Sequence, residues 1–231
     1  MAVTALHLLS AGSNTDTQEY TTASITPTAN ALVLLAFEGR NIATGSPTPS
    51  PTVVGCNLTW VAVDSETSGN DSQNITVFRA MGASPSAGAL TITQGGSGNI
   101  YGQWSISEFH GIDTSGTNGS GAIVQSNGNS DTATNTGLTI TLTAFSNANN
   151  ATYGVVRSVG GGSITNGTGF TELGESGGTD SNIQSQWRND NDISVDWSWT
   201  STDSNARGIA IEIKSAIQTT ATIDSGHSYF M

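Results

Sequence analysis

Three glutamates, Glu108, Glu172 and Glu175, are the residues of this sequence best suited to acid–base chemistry. Two carboxylates on either side of a groove can hydrolyse a glycosidic bond, one as the acid and the other as the nucleophile or base. None of the three lies in a Glu-x-Asp-x-x-Glu motif, which would point alternate carboxylates of one strand into a single cleft. We therefore expect no catalytic residue, and hydrolysis ranks third among the functions considered.

His110 is a second candidate for proton transfer, because it lies between Glu108 and Asp113 and a carboxylate could orient its ring. A histidine general base needs a nucleophile to activate, and no serine elbow or activated cysteine accompanies this one. Histidines at strand ends are more often structural. The sequence therefore favours a protein that is not an enzyme.

Metal and cofactor sites are not indicated by the sequence. The potential zinc ligands are far apart, with one cysteine in the chain: His7, His110, His227 and Cys56. Asp190, Asp192 and Asp196 offer the hard oxygen ligands that calcium prefers, but their spacing matches no EF-hand loop. A turn in which Asx side chains bond the local backbone is the favoured interpretation, with calcium as its alternative.

Tryptophan rings could form a platform on which sugar rings stack, and the chain has five of them: Trp60, Trp104, Trp187, Trp197 and Trp199. Trp197 and Trp199 share one face of a strand with Ile193 and Val195, which favours core packing. Trp187, between Gln186 and Arg188, is the best candidate for an exposed ring. We therefore name Trp187 as a candidate glycan contact.

The charge of the chain excludes two classes of partner. Only 10% of its 231 residues are charged, the formal net charge is −12, and Lys214 is its one lysine. Nucleic acid requires a basic surface that neutralises phosphates, and an anionic membrane surface repels an acidic protein. We expect neither nucleic acid nor a membrane as a partner.

The elements that position these residues are β-strands. Short apolar or alternating runs recur between clusters of Gly, Ser, Asn and Pro, and we count about ten candidate strands. The clearest run is 138–143, in which leucine or isoleucine alternates with threonine. Neither a helical period nor a fixed-period repeat is visible. The pattern predicts an all-β fold of two packed antiparallel sheets.

The C-terminal segment differs in composition from the rest of the chain. Residues 215–231 have too few apolar residues for a core strand, yet they retain four potential anchors: Ile217, Ile223, Tyr229 and Phe230. A segment that becomes ordered on binding needs such anchors in pockets of its partner. We therefore predict a sandwich domain at 1–214, followed by an extended arm at 215–231 that docks on a partner.

The order of elements resembles a jelly-roll family of accessory structural proteins of tailed bacteriophages. The resemblance covers most of residues 1–214 and rests on five segments: Ala31-Leu-Val-Leu-Leu-Ala36, Leu58-Thr-Trp60, Phe78-Arg-Ala80, Trp104-Ser-Ile-Ser-Glu-Phe-His-Gly111 and Gly208-Ile-Ala-Ile-Glu-Ile213. It implies a two-sheet jelly-roll-like β-sandwich and a virion protein, either a capsid decoration (cement) protein or a tail-associated one. Jelly rolls also serve as carbohydrate-binding modules, which leaves that alternative open.

Taken with the arm, the resemblance predicts a non-enzymatic virion protein that binds the major capsid or tail proteins and copies of itself. The expected location is the capsid exterior or the tail. No basic segment precedes the apolar residues near the start, so we expect synthesis in the host cytoplasm without a signal peptide. The alternative is a carbohydrate-binding or host-adhesion module that recognises a host glycan.

Overall fold

The computed structural model describes residues 2–41, 50–67, 73–95, 98–131, 134–159, 162–177, 181–203 and 205–216. Within these ranges the chain forms sixteen β-strands and one short 3-10 helix, Ser120–Ala122. The strands are β1 Thr4–Ser13, β2 Glu19–Thr21, β3 Leu32–Asn41, β4 Thr52–Gly55, β5 Val61–Thr67, β6 Gln73–Ala80, β7 Leu90–Thr93, β8 Asn99–His110, β9 Ile123–Ser130, β10 Asn135–Thr141, β11 Ala151–Ser158, β12 Ile164–Asn166, β13 Thr171–Gly177, β14 Asn182–Arg188, β15 Ser194–Asp203 and β16 Arg207–Ile213. None of the described helical residues forms a helix long and apolar enough to span a membrane.

All strand pairs are antiparallel, which confirms the predicted all-β antiparallel class. The described strands form four sheets where the sequence predicted two. Two sheets have five strands, ordered β1-β8-β3-β6-β5 and β13-β14-β11-β16-β9, and two have three strands, ordered β2-β7-β4 and β10-β15-β12. The sequence also indicated about ten strands where the structure has sixteen in its described residues, in part because β9 and β14 are too polar to be recognised as strands.

The sheets stack as four layers around three apolar cores. The outer sheet β2-β7-β4 packs on the first five-stranded sheet through Tyr20, Leu35, Ile92 and Trp104. The two five-stranded sheets pack on each other around a central cluster that includes Leu34, Val77, Tyr153, Ile183 and Ile209. The opposite outer sheet covers the second five-stranded sheet through a third cluster: Leu138, Ile140, Val156, Val195, Trp197 and Trp199. This arrangement confirms the predicted core positions of Trp197 and Trp199. The prediction was wrong for Ile193, which precedes the start of β15 and is 40% exposed.

The second eight strands repeat the topology of the first eight. Adding eight to each strand number converts β1-β8-β3-β6-β5 into β9-β16-β11-β14-β13, which is the second five-stranded sheet read from its other edge. The same operation converts β2-β7-β4 into β10-β15-β12. In the stack β1 lies against β13 and β5 against β9, as expected for two halves related by a twofold rotation.

The strand register shows which residues of the two halves are equivalent. The first residue of β3, Leu32, pairs with Phe109 of β8, and the first residue of β11, Ala151, pairs with Ile213 of β16. Counting from these pairs makes Glu108 equivalent to Glu212. The two halves therefore place chemically comparable residues at the same topological position, although no sequence repeat is visible.

Candidate functional site

Glu108 is buried and holds the segment that leads into β3. The main-chain N–H and the hydroxyl of Thr28 each donate a 2.8 Å hydrogen bond to the Glu108 carboxylate. The Nε2 atom of His110 lies 3.0 Å from the same carboxylate, whose side chain is 1% exposed. The structure thus brings together Glu108 and His110, two of the candidates from the sequence. The Glu108 carboxylate, however, already accepts hydrogen bonds from the main chain and the side chain of Thr28.

Glu212 plays the equivalent part in the second half. Its two carboxylate oxygens accept hydrogen bonds of 2.6 Å from the side-chain amides of Gln125 and Asn150. Asn150 immediately precedes β11, just as the Thr28 segment precedes β3. Both buried glutamates thus bind the segment before the central strand of their half, which is a structural role.

The remaining sequence candidates for acid–base work have partners on separate elements. The Glu175 carboxylate accepts a 3.1 Å hydrogen bond from the N–H of Ile164, and burial raises the pKa of its carboxyl group. Burial lowers the pKa of His7, and the charge of Glu172 partly opposes that shift. Glu172 and Glu175 lie on β13, whereas Glu108 lies on β8 of the other half.

The aspartates considered for calcium surround an arginine. The Arg188 guanidinium forms ion pairs with Asp190, at 2.6 Å, and with Asp192. The second Asp192 oxygen accepts the N–H of Ser194 at 2.9 Å, which is the expected Asx turn into β15. Across the described residues no group of three or more His, Cys, Asp or Glu side chains is arranged to hold a metal ion.

Trp187 is half-buried on β14. Its ring packs edge-on against Phe109, with ring centroids 6.3 Å apart and an interplanar angle of 74°. It adjoins the central core between the two halves. The buried part of the Trp187 ring therefore contributes to packing, and only its exposed part could make the glycan contact that the sequence suggested.

A cleft of about 530 Å³ opens where β16 leaves the body of the protein. We call it the exit cleft, and it is lined by Ser120, Gly121, Ile123, Val124, Ser146, Asn147, Asn150 and Lys214. Val124 is 44% exposed, one of the few large apolar side chains in the described part of the chain that face solvent. The exit cleft thus combines an apolar wall with the single lysine of the sequence.

The chain beside the exit cleft is fixed by hydrogen bonds up to residue 216. Lys214 donates its N–H to Ala122 and accepts one from Asp113, at 2.8 and 2.9 Å, and the Ala216 N–H donates to Gly111 at 2.8 Å. The Ser215 N–H donates to the Asn150 side chain at 3.1 Å. Ser215 and Ala216, which the sequence analysis assigned to the arm, are therefore attached to the body.

An ion pair reinforces this attachment. The Lys214 ammonium lies 2.7 Å from the Asp113 carboxylate. Hydrogen bonds from Lys214 and Ser115 lower the pKa of Asp113 to about 2. Asp113 is consequently ionised throughout the neutral and mildly acidic range and holds Lys214 at the rim of the exit cleft.

A second cleft, of about 280 Å³, lies between β1 and β2. Its lining is dominated by polar side chains around two aromatic rings: Ser13, Thr15, Thr17, Glu19, Tyr20 and Trp104. The Tyr20 and Trp104 rings are tilted at 47° with centroids 6.2 Å apart. Burial raises the pKa of Tyr20 to about 12, so its hydroxyl is protonated at neutral pH.

The four arm residues predicted to dock on a partner, Ile217, Ile223, Tyr229 and Phe230, lie outside the described residues. The structure nevertheless identifies what sequence reasoning missed, namely the exit cleft beside the start of their segment. Its walls come from β9 and from the 146–150 loop, which carry no apolar periodicity. These segments therefore carry no pattern from which the cleft could have been predicted.

No protein-family model, no curated protein and no solved structure matches this chain.

Proposed function

We propose that this chain is a non-enzymatic virion structural protein, a capsid decoration or cement protein that binds the capsid or neighbouring virion subunits through its body and its C-terminal arm. The observation that carries the proposal is the exit segment Lys214–Ala216. Its main chain is hydrogen-bonded to Gly111, Asp113 and Ala122 and to the side chain of Asn150, and it lies beside the exit cleft. A protein that works by contact needs such a fixed departure point for its arm.

The strand order supports a jelly-roll assignment for each half. A jelly roll has eight strands in two sheets built from two Greek keys. The orders β1-β8-β3-β6 and β2-β7-β4 fit that topology, with β5 joined to the edge of the first sheet, and the second half has the same orders. We propose that the body is a pair of jelly rolls packed through their five-stranded sheets.

The internal polar contacts support a passive, rigid body. Arg157 of the second half is fully buried and forms an ion pair with Glu38 of the first. Its guanidinium also donates 2.6 and 3.2 Å hydrogen bonds to the Asn205 carbonyl and the Tyr101 hydroxyl. Such contacts fix one relative placement of the two halves, as a scaffold requires.

The proposal is tested on particles of the virus whose genome encodes the chain. Cryo-electron microscopy of purified particles should show density for the sixteen-stranded body on the capsid exterior or the tail. A variant ending at Ala216 should fold, because the last described contact is made by that residue, and it should be absent from particles or reduced on them. Particles that lack the full-length protein would overturn the proposal.

A glycan-binding or host-adhesion module is the second candidate function, and the β1–β2 cleft favours it. Hydroxyls of Ser13, Thr15 and Thr17 and the Glu19 carboxylate surround the cleft, and such groups can pair with the hydroxyls of a neutral sugar. A glycan array with the whole protein tests this function. If Thr15→Ala/Glu19→Gln abolishes glycan binding and Trp187→Phe does not, the glycan site is the β1–β2 cleft. If only Trp187→Phe abolishes binding, the site is at Trp187. If the unmodified protein binds no glycan on the array, this function is excluded.

A further inference from the structure

We propose that the edge of β2 that faces β1 binds an extended, basic segment of another protein as an added β-strand. The inference rests on the proposed function, because the segment is assigned to the virion subunit that the chain decorates. Residues 19–23 form this edge, which we call the β2 edge. They span about 13 Å, so the added strand is about four to six residues long.

The two halves of the molecule differ at this edge. In the second half, a row of three side-chain amides on β9 donates hydrogen bonds to the main-chain carbonyls of β10. The row consists of Gln125, Asn127 and Asn129. Counting along β8 and β16 from the equivalent residues Glu108 and Glu212 gives the matching positions of β1. Those positions are occupied by Leu6, Leu9 and Ala11. These side chains have no hydrogen-bond donor, so β1 leaves the β2 edge uncovered.

The main-chain groups of every second residue of β2 point away from its neighbour β7. The Thr22 N–H donates to the Leu90 carbonyl at 3.0 Å, and the Gln94 N–H donates to the Gln18 carbonyl at 2.9 Å. Since an antiparallel pair bonds through alternate residues, the residues between these face β1. They are Glu19, Thr21 and Ala23, and all three are exposed. The β2 edge therefore presents the alternating main-chain groups with which a strand pairs.

Local hydroxyls do not close the β2 edge. The Thr17 hydroxyl bonds the main chain of Glu19 at 3.2 and 3.3 Å, and the Thr22 hydroxyl donates to the Ala23 carbonyl at 2.8 Å. Each of these carbonyls keeps a second lone pair, which can accept from an incoming N–H. In β10, by contrast, the equivalent carbonyls are bonded by side chains from the neighbouring sheet.

The surface beside the β2 edge suits apolar side chains. Leu6 is 53% exposed, and Leu9 and Ala11 are half-buried against the first core cluster. Trp104 lines the β1–β2 cleft at the same place. Its indole nitrogen is buried and has no hydrogen-bond partner among the described residues. An added strand can bury its apolar side chains on this surface and offer a carbonyl to that N–H.

Charge favours a basic segment. Glu19 lies on the β2 edge, and the charge of Asp16 contributes to the raised pKa of Tyr20, which places Asp16 close to the cleft. Neither carboxylate takes part in an ion pair within the described part of the chain. A lysine or arginine on the added strand would meet two carboxylates there, on a protein of net charge −12.

The same requirement distinguishes another protein from a second copy of this chain. The chain has six cationic side chains, and each lies on a paired strand or directly after β16. They are Arg40, Arg79, Arg157, Arg188, Arg207 and Lys214. Lys214 is ion-paired with Asp113 and the exit segment is bonded to the body. A second copy therefore has no lysine or arginine on a segment that could serve as the added strand.

The first test adds a synthetic heptapeptide to the isotope-labelled, full-length chain and follows its backbone amides by NMR. The peptide alternates valine with threonine and has lysine at both ends. We expect the amide signals of Glu19, Thr21 and Ala23 to shift, and exchange of the Thr21 amide to slow on the order of tenfold, because it becomes hydrogen-bonded. The same peptide with proline at its centre, which lacks one main-chain donor, should bind more weakly.

Two substitutions of Thr21 separate a strand from a sugar as the ligand. Thr21→Pro removes the outward N–H, which an edge strand tolerates, and should weaken peptide binding on the order of tenfold. Thr21→Val keeps that N–H and removes only the hydroxyl, so it should leave peptide binding unchanged. Val54→Gln is the control for an exposed position on another edge strand, since Val54 is 62% exposed on β4.

A triple variant transfers the amide row of the second half to the first. Leu6→Gln/Leu9→Asn/Ala11→Asn should cover the β2 edge from β1 and abolish peptide binding, as the row on β9 covers β10. Circular dichroism and urea denaturation establish whether this variant folds, and Thr21→Pro provides the test if it does not.

Three results would overturn the inference. They are a peptide that shifts none of the three amides at millimolar concentration, equal binding by Thr21→Pro and the unmodified chain, and equal losses in Thr21→Pro and Thr21→Val. The last result would favour a sugar held by hydroxyls. If Thr21→Pro still decorates particles, this inference fails and the proposed function stands. If the peptide binds at Thr21 but particles lack the protein, the strand site stands and the proposed function fails.

Discussion

Glu38 of β3 and Arg157 of β11 occupy the same register position in the two halves of the molecule and meet in a buried ion pair. Both side chains are completely buried. The carboxylate oxygen that accepts from the arginine Nε also accepts the Tyr101 hydroxyl at 2.9 Å and the Ser181 hydroxyl at 2.6 Å. Three donors therefore converge on one oxygen at the centre of the contact between the halves.

This relationship explains one of the differences in sequence between the two structurally similar halves. Where two equivalent strands pack on each other around a twofold axis, identical residues would face each other. Two glutamates or two arginines at this buried position would repel each other and leave uncompensated charge. The two halves must therefore differ in sequence at this position.

The first prediction concerns the loss of one partner of this pair. Glu38→Gln should lower the free energy of unfolding by roughly 3–5 kcal/mol, because it leaves the Arg157 guanidinium buried without a counter-charge. The double variant Glu38→Met/Arg157→Met should recover much of that loss, since neither charge is then buried alone. Urea denaturation followed by tryptophan fluorescence measures both.

Arg188→Gln provides the control, because its ion pairs with Asp190 and Asp192 are partly exposed. Pairs of this kind contribute about 0–1 kcal/mol. If Glu38→Gln lowers the free energy of unfolding by no more than Arg188→Gln does, the buried ion pair does not hold the two halves together.

The sequence predicted two of the three strands in the outer sheet of the second half, β10 and β15, and it predicted the central sheets incompletely. β10 alternates Leu138 and Ile140 with threonine because one of its faces is buried and the other exposed. β14 has no such alternation, since Gln184, Ser185 and Gln186 are completely buried between layers. A buried polar strand cannot be distinguished from a loop by hydrophobic periodicity, and β14 was missed for that reason.

The candidate sites show a similar division between local and distant contacts. The Asx turn at Asp192 and the neighbourhood of Glu108 and His110 were predictable because those residues are adjacent in sequence. The pairing of Glu38 with Arg157, 119 residues away, was not. Such a contact follows from how the two halves stack, which no short motif encodes.

The second prediction concerns the pH dependence of the exit segment. Asp113 has its pKa lowered from 3.8 to about 2 by Lys214 and Ser115, so the folded state favours the ionised form. Its contribution to stability is therefore present above pH 4 and is lost as the pH falls through about 2. Hydrogen exchange of the Lys214 and Ala216 amides should accelerate over that interval, relative to core amides such as that of Ile209.

Asp113→Asn is the matched variant, because it keeps the side-chain shape and removes the charge. The protection of these two amides, relative to their intrinsic exchange rate at each pH, should be lower already at pH 6 and should change little further down to pH 2. Equal exchange in the variant and the unmodified protein at pH 6 would mean that the ion pair does not hold the exit segment.

The third prediction concerns a row of side-chain amides that covers the open edge of β10. Gln125, Asn127 and Asn129 of β9 donate hydrogen bonds of 3.0, 2.8 and 2.9 Å to the main-chain carbonyls of Thr143, Thr141 and Thr139, respectively. An uncovered strand edge can pair with another chain. Replacing the three amides with alanine should therefore increase aggregation, measured by light scattering at elevated temperature.

The accompanying loss of stability should be about 0.5–1.5 kcal/mol for each of Asn127 and Asn129, because water can replace donors near the surface. It should be larger for Gln125, because that amide also donates a hydrogen bond to the buried Glu212 carboxylate. Asn149→Ala, at an exposed loop position on the same side of the second half, is the control. A triple variant that aggregates no faster than this control would show that the amides do not protect the edge.

The last prediction separates a structural role of Glu108 from a catalytic one. Glu108 and Glu212 are equivalent by register, and each carboxylate binds the segment that precedes the central strand of its half. A glutamine at either position keeps one acceptor oxygen and turns an N–H₂ group towards donors. Glu108→Gln and Glu212→Gln should therefore each lower the free energy of unfolding by about 1–3 kcal/mol, the cost of leaving buried donors unpaired. Urea denaturation at pH 7 measures both, with Glu19→Gln as the exposed control.

Replacing a catalytic residue often raises the stability of a protein, because active sites are built at a cost in stability. If Glu108→Gln raises the free energy of unfolding while Glu212→Gln lowers it, the result would favour an acid–base role for Glu108 and His110.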